Sequence, residues 1–203
     1  MEKGKTKSAA VFLDRDGTLN EESGYLNHVD RLKLIDGAAE AVALLSRHGL
    51  KTIVVTNQSG VARGYFPETL LPRLHDKLQE LLIERGSQLD AIYYCPHHPD
   101  VGEPPYRRDC ECRKPKLGMI RKAEKKFSVD ARKSYMVGDK ISDVEFGRRA
   151  GCKTVLLLTG YGKGELEHNR EQLDGDPDHV AADILDAAKW IVSDLEARER
   201  NQA

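Results

Sequence analysis

The sequence predicts an α/β protein with a doubly wound, mostly parallel, Rossmann-like sheet. Five short apolar runs typical of buried strands alternate with stretches of helical periodicity, which is the pattern of repeated β-α-β units. Four of these runs end in a polar or thiol side chain: Asp14, Thr56, Cys95 and Asp139. Because ligands of open α/β sheets bind beyond the carboxyl ends of the strands, we expect the four side chains to converge on one crevice.

Length, charge and cysteine content narrow the class of protein. The 203 residues suffice for one well-buried domain, so we expect a single domain over residues 1–203 that acts as a monomer. The net charge of -1 offers no general field for nucleic acid or a membrane surface. No apolar run approaches the ~18 residues of a membrane helix, and the first ten residues are too polar for a secretory signal. We therefore expect a cytoplasmic protein whose four cysteines stay reduced.

The first predicted strand, 11–14, runs into the motif Asp14-Arg15-Asp16-Gly17-Thr18. Successive residues of a strand point to opposite faces, so Asp14 and Asp16 are expected on one side and Arg15 on the other. Two carboxylates this close repel each other unless a cation lies between them or one carries a proton. An Asp-Gly turn of a surface hairpin is the simpler interpretation, but it explains neither the second carboxylate nor the apolar run before it.

The remaining elements follow from periodicity and glycine stops. Further strands are predicted at 51–57, 90–95, 134–139 and 153–159. Helices are predicted after an Asp36 cap up to Gly49, at 67–85, at 116–127, after a Ser142 or Asp143 cap up to Gly151, and at about 181–199. Segments 21–35 and 160–178 have no clean period, so we predict a substrate-side loop and a mobile charged loop, respectively.

The motif that begins at Asp14 resembles the first motif of the haloacid-dehalogenase-like (HAD) phosphohydrolases. The resemblance implies that Asp14 is the nucleophile and Asp16 the general acid/base, in a central strand beside those of Thr56 and Asp139. It also implies that Thr56 binds the phosphoryl oxygens and that Lys114 steadies the phosphoryl group. The expected Mg²⁺ ligands are Asp14, Asp16 and Asp139, with Asp143 either a further ligand or only a helix cap.

A second group of residues matches a structural zinc site. Cys95-x-His97 and Cys110-x-Cys112 together supply three thiols and an imidazole, the ligand set of a closed tetrahedral Zn²⁺ site, with His98 as an alternative ligand. A disulfide is the competing interpretation, and a reducing compartment counts against it. Zinc would fix the loop at about 95–113, which has few apolar residues of its own, and so position the cations that follow it.

Substrate choice is expected to depend on loops, because the interval between Asp16 and Asn57 is too short for a large cap domain. Within the HAD group, the zinc-loop pattern resembles the histidinol-phosphate phosphatases and, more closely, the heptose-bisphosphate phosphatases. The latter remove the 7-phosphate of D-glycero-D-manno-heptose 1,7-bisphosphate on the bacterial route to heptose of lipopolysaccharide and surface glycans. The resemblance and the loop positions imply a set of substrate-binding residues: Asn57, Gln58, Ser59, Arg113, Lys114 and Lys140. Arg113, which we also count among the catalytic residues, suits the phosphate that is not cleaved.

Two interpretations from other classes are weaker. A zinc module that binds nucleic acid would use the basic residues of the zinc loop, but aromatic interleaving and a wide basic face are missing. A phosphate-receiver signalling domain needs an accepting Asp without a general acid, so Asp16 counts against it.

Overall fold

The computed structural model describes residues 7–172 and 175–200, and these form one parallel sheet with helices on both faces. The strands are β1 (Ala10–Leu13), β2 (Lys51–Asn57), β3 (Ala91–Cys95), β4 (Tyr135–Gly138), β5 (Lys153–Leu157) and β6 (His179–Ala181). The helices are α1 (Ala38–Arg47), α2 (Leu70–Ile83), α3 (Gly118–Phe127), α4 (Ile141–Ala150), α5 (Gly162–His168) and α6 (Ile184–Arg200). Short 3₁₀ turns lie at Val29–Arg31, Ala131–Lys133 and Arg170–Gln172.

The strand order is β3-β2-β1-β4-β5-β6, and every neighbouring pair is parallel. The expected central position of β1, between the strands that carry Thr56 and lead to Asp139, is therefore confirmed. The chain order reverses at β1, so the crevice beyond its carboxyl end lies at a topological switch point. The backbone N–H of Asp14 donates to Val137 O at 2.9 Å, which continues the pairing with β4 past the end of β1.

Alternation along the central strands divides the apolar residues between two cores. Val11 and Leu13 face a core built with α1, α2 and α6. Ala10 and Phe12 face a second core built with α3 and α4. Helices cover both faces of the sheet, so residues that point to either face are apolar. Each central strand is therefore a continuous apolar run and does not alternate between apolar and polar residues. None of the helices within residues 7–172 and 175–200 has the length and apolar character needed to span a membrane.

The prediction of five strands and a loop over 160–178 is wrong in two respects. Helix α5 occupies Gly162–His168, and a sixth strand, β6, follows the segment and pairs with β5. Three residues are too few to show a period of two, so β6 could not be recognised from its sequence. Tertiary hydrogen bonds define it instead: the Asp178 carboxylate accepts from both the N–H and the hydroxyl of Thr154, at 2.8 and 2.9 Å. The predicted loop also includes Leu173 and Asp174, which lie outside the described residues.

Two predicted helix caps are also wrong. Gly37, with φ +81°, occupies the N-cap of α1 in place of Asp36. Lys140 occupies the N-cap of α4, and Asp143 is its third helical residue. The Asp143 carboxylate accepts from the Lys140 N–H at 3.3 Å, so it caps the helix from inside, as in a capping box.

Candidate active site and metal-binding loop

The carboxyl ends of β1, β2 and β4 bring the predicted catalytic residues together around a buried lysine. Lys114 Nζ lies 3.0 Å from Asp14 Oδ1 and 2.6 Å from Asp143 Oδ1. All three side chains are almost fully buried. Burial alone would lower the pKa of Lys114, but the charges of Asp14 and Asp143 outweigh it and raise that pKa, so the lysine stays charged.

Three buried carboxylates form a cluster that fits a divalent cation. Asp14, Asp139 and Asp143 offer oxygens that all lie within 4.8 Å of one another. Burial, followed by the charge of Asp14, raises the pKa of Asp139 to about 8. Asp139 Oδ1 is buried and accepts no hydrogen bond from the residues that the structure describes. An unsatisfied carboxylate oxygen beside two others matches the hard oxygen donors that Mg²⁺ prefers.

Glycines make room for this acidic cluster. A Cβ atom at Gly17 or at Gly160 would lie 2.2 Å from Asp139 Oδ2, which excludes any larger residue at either position. The same Oδ2 accepts a hydrogen bond from the Tyr161 N–H at 2.9 Å. Sequence reasoning missed Gly160 and Tyr161. The available signal was a glycine that directly follows a predicted strand.

The structure places the Asp16 carboxylate outside the acidic cluster, although we expected it among the Mg²⁺ ligands. Arg15, Asn20 and Gln58 donate to it at 2.8, 2.9 and 2.9 Å. Arg15 is fully buried and turns back toward Asp16, contrary to the predicted alternation. The reason is that β1 ends at Leu13 and the chain enters a turn at Gly17, with φ +74°, where strand alternation no longer applies. Burial would raise the pKa of Asp16, but the charge of Arg15 and these hydrogen bonds outweigh it and lower that pKa.

The polar run after β2 mainly holds other site residues in place. Gln58 Nε2 donates both to Thr56 Oγ1 and to Asp16 Oδ2, at 2.9 Å each, and so links the two sides of the site. Asn57 forms a reciprocal pair with the backbone of Lys114, at 3.2 Å to its carbonyl and 3.0 Å from its N–H. The Asn57 amide therefore holds the backbone of the lysine in position.

A cleft of about 380 Å³ opens beside Asp16. Several predicted substrate-binding residues line it: Asn57, Gln58, Ser59, Arg113 and Lys140. Lys114 is not among the lining residues and lies buried next to Asp14. The predicted substrate-side loop contributes Glu22 and Tyr25, and α5 contributes Glu165. Lys140 Nζ lies 3.4 Å from Glu22 Oε2 and 4.6 Å from the centre of the Tyr161 ring.

The predicted zinc ligands also come together. The Sγ atom of Cys110 lies 3.5 Å from that of Cys95 and 3.3 Å from that of Cys112, and His97 Nδ1 lies 3.3 Å from Cys112 Sγ. The cysteines are free thiols, so the disulfide interpretation fails. These separations are somewhat shorter than the roughly 3.8 Å sulfur–sulfur edge expected for tetrahedral Zn–S bonds of about 2.3 Å. His98 lies outside the cluster.

Burial raises the pKa values of the Cys95 and Cys112 thiols, so a cation is needed to hold them as thiolates. The donor set therefore fits Zn²⁺. The cluster also fixes the approach to the cleft, because Arg113 directly follows Cys112 and its Nη1 donates to the His97 carbonyl at 3.1 Å.

Known proteins resemble the whole chain. A family model described as HAD-hydrolase-like matches residues 111–187. The D-glycero-beta-D-manno-heptose-1,7-bisphosphate 7-phosphatase of Pasteurella multocida is 45% identical over 90% of this chain and 96% of its own. The D-glycero-D-manno-heptose-1,7-bisphosphate 7-phosphatase of Chlorobaculum tepidum is 42% identical over 90% of this chain and 93% of its own.

A solved structure agrees with these relatives. The D,D-heptose 1,7-bisphosphate phosphatase of B. bronchiseptica, crystallised with magnesium and phosphate, superposes with a TM-score of 0.80 and 32% identity. That match covers 92% of this chain and 99% of the other. Identity above 40% over about 90% of this chain, together with the shared fold, means that the chain belongs to the D-glycero-D-manno-heptose-1,7-bisphosphate 7-phosphatase family of HAD-like hydrolases.

Proposed function

We propose that this protein is a Mg²⁺-dependent phosphatase that removes the 7-phosphate of D-glycero-D-manno-heptose 1,7-bisphosphate and leaves heptose 1-phosphate. The observation that carries the proposal is the buried Asp14–Lys114–Asp143 arrangement beside a cleft that Arg113 lines. The substrates named for the relatives support the same reaction.

Magnesium held by Asp14, Asp139 and Asp143 would supply positive charge next to the phosphoryl oxygens. Lys114 adds a second positive charge 3.0 Å from Asp14, and the Asn57 amide holds its backbone in place. Thr56 offers a hydroxyl hydrogen, because its oxygen already accepts from Gln58. These groups are fixed before substrate arrives, which is the condition for electrostatic stabilisation of a transition state.

Asp14 would attack phosphorus, so that a bond from its carboxylate to phosphorus forms while the bond from phosphorus to the oxygen on carbon 7 breaks. Asp16 gives its proton to the departing alkoxide. In the second step Asp16 takes a proton from water, the water oxygen attacks phosphorus, and Asp14 is released. The lowered pKa keeps Asp16 ionised, so that its carboxylate is free to accept a proton in this second step. For the first step, the negative charge of the bound phosphate raises the proton affinity of the nearby Asp16.

Arg113 supports a bisphosphate over other phosphate esters. Its guanidinium can bind a second phosphate group in bidentate fashion, away from the phosphate that reacts. Histidinol phosphate presents a cationic amine in place of that second anion, so Arg113 disfavours it. Zinc held by Cys95, His97, Cys110 and Cys112 would keep the segment before Arg113 and Lys114 in one conformation.

Product analysis tests the proposal directly. The enzyme should convert heptose 1,7-bisphosphate with a higher kcat/KM than histidinol phosphate, and NMR should locate the loss of phosphate at carbon 7. Arg113→Ala should reduce kcat/KM for the bisphosphate more than for heptose 7-phosphate. Preference for histidinol phosphate, or release from carbon 1, would refute the heptose assignment while leaving the phosphatase chemistry intact.

The proposal extends to the cellular location of the protein and to its biosynthetic role. The three thiols must stay reduced to bind zinc, which supports a cytoplasmic location. The substrate supports a place in the synthesis of heptose for lipopolysaccharide or another surface glycan.

A further inference from the structure

Arg15 is a fully buried arginine whose hydrogen-bond partners lie at the cleft. Its Nη2 donates to Gln58 Oε1 at 3.0 Å and to both carboxylate oxygens of Asp16, at 2.9 and 2.8 Å. Its Nε adds a third bond to Asp16, at 3.1 Å to Oδ1. Asp16 and Gln58 both line the cleft. Because a buried charge is costly unless it is paired, the Asp16 carboxylate is what permits an arginine at this position.

Arg15 fixes the orientation of the Asp16 carboxylate in a way that the other donors cannot. Asn20 Nδ2 donates to Oδ1 of this carboxylate, and Gln58 Nε2 donates to Oδ2, at 2.9 Å each. Each amide holds one oxygen, so the carboxylate could still pivot about either bond. The guanidinium is planar and contacts both oxygens, which fixes the plane of the carboxylate. The Asp16 side chain remains 18% exposed, so it stays accessible from the cleft.

Arg15 is itself held by a rigid part of the fold. Its Nη1 lies 3.5 Å from Nε2 of His75, a buried residue of α2. A guanidinium can only donate, so Nε2 accepts and the His75 ring is neutral. Burial, followed by the charge of Arg15, lowers the pKa of His75 to about 3, which agrees with a neutral ring. The ring also packs on Tyr94 of β3, with 5.3 Å between the ring centres. A helix and a strand therefore support Arg15.

We propose that Arg15 is a positioning residue, which holds the Asp16 carboxylate where it can exchange a proton with the leaving oxygen and then with water. The inference rests on the proposed function, in which Asp16 is the general acid/base. Proton transfer needs hydrogen-bond reach of about 2.6–3.2 Å to the reacting oxygen. Arg15 is fully buried and is not among the residues that line the cleft, so it acts on the reaction through Asp16.

Arg15→Met tests the proposal, because methionine fills much of the same space and donates no hydrogen bond. The kcat for heptose 1,7-bisphosphate should fall roughly 10²-fold, the loss that a displacement of about 1 Å can cause. KM should stay close to the wild-type value, since no contact with substrate is removed. Arg15→Lys keeps the charge without the planar fork, so its kcat should lie between those of Arg15→Met and wild type.

Arg132→Met is the matched control. Arg132 also forms a two-bond pair with an aspartate close to it in sequence, at 3.2 and 3.1 Å to Asp130. This pair lies away from the cleft lining, so the variant should keep the wild-type kcat.

A double variant separates positioning from general support of the fold. Arg15→Met alone leaves the Asp16 charge without its cation, whereas Arg15→Met combined with Asp16→Asn removes both charges together. If Arg15 acts only through Asp16, the double variant should turn over as slowly as Asp16→Asn does, measured with enzyme in excess over substrate. This comparison decides the matter even where Arg15→Met does not fold. A further fall in the double variant would overturn the positioning role.

The remaining outcomes distinguish the inference from the proposed function. Wild-type protein that does not hydrolyse the bisphosphate, or Asp16→Asn with the wild-type kcat, would overturn the proposed function and the inference with it. An impaired Asp16→Asn beside an Arg15→Met variant with unchanged kcat would overturn the inference alone. A raised KM with unchanged kcat in Arg15→Met would also overturn it, because that result indicates a contact with substrate.

Discussion

Lys114→Met should destabilise the protein strongly, because it removes the cation that lies between two buried carboxylates. Lys114 Nζ contacts Asp14 and Asp143 at 3.0 and 2.6 Å, and the lysine side chain is only 2% exposed. Deleting one partner of a buried ion pair typically costs about 3–5 kcal/mol of unfolding free energy, since the remaining charge is left uncompensated. Two carboxylates lose their partner here, so we expect a loss near the upper end of that range in magnesium-free buffer.

The pH dependence of this loss has a definite sign. The folded-state pKa of Lys114 is raised, so its contribution to stability is fully present below the ordinary value of 10.5 and is lost as pH rises through the folded value. In the variant, the two carboxylates can relieve their repulsion only by taking up protons. The difference between wild type and variant should therefore be larger at pH 7.5 than at pH 5.

Urea unfolding at both pH values, with and without Mg²⁺, measures the effect. Saturating Mg²⁺ should restore part of the stability, because the cation replaces some of the lost charge, while kcat stays at least ~10² below wild type. Lys116→Met is the matched control: Lys116 pairs with Asp109 in an exposed contact that water and salt screen, so its loss should change stability little. A Lys114→Met protein as stable as Lys116→Met in magnesium-free buffer would refute this reasoning.

Three further predictions concern the other groups of the site. Asp14→Asn should abolish turnover while leaving the fold intact, because the carboxamide has the same shape but is not nucleophilic; wild-type activity would exclude the covalent mechanism. Asp139→Asn should be inactive, yet more stable than magnesium-free wild type above pH 8. Burial raises the pKa of the wild-type Asp139 carboxyl from 3.8 to about 8, so the folded wild-type protein becomes progressively less stable as pH rises between those values. Equal pH profiles of unfolding for variant and wild type would contradict this. Cys110→Ser should lower both bound zinc and the melting temperature, whereas Cys152→Ser, outside the cluster, should retain zinc; full zinc content in Cys110→Ser by elemental analysis would contradict the ligand set.

Local patterns were sufficient to predict most of the fold and most of the residues that meet at the candidate site. Apolar runs that end in Asp14, Thr56 and Asp139 had to become neighbouring strand ends, because buried parallel strands align their carboxyl ends on one edge of the sheet. The cluster of Cys95, His97, Cys110 and Cys112 was equally visible in the sequence, because three thiols and an imidazole are a ligand set typical of Zn²⁺.

Contacts between distant segments were decided only by the tertiary structure. The return of Arg15 onto Asp16, the hold of Asn57 on the backbone of Lys114 and the contact between Arg63 and His98 all depend on how loops close. Loop closure carries little signal in sequence, because a polar side chain at a turn can find its partner anywhere along the chain. Strand β6 also depends on a contact between distant segments. Its three residues show no periodicity by themselves, and only their pairing with β5 identifies them as a strand. The sequence alone thus determined which groups meet at the carboxyl ends of the strands, and the packing of the loops determined which partners hold them.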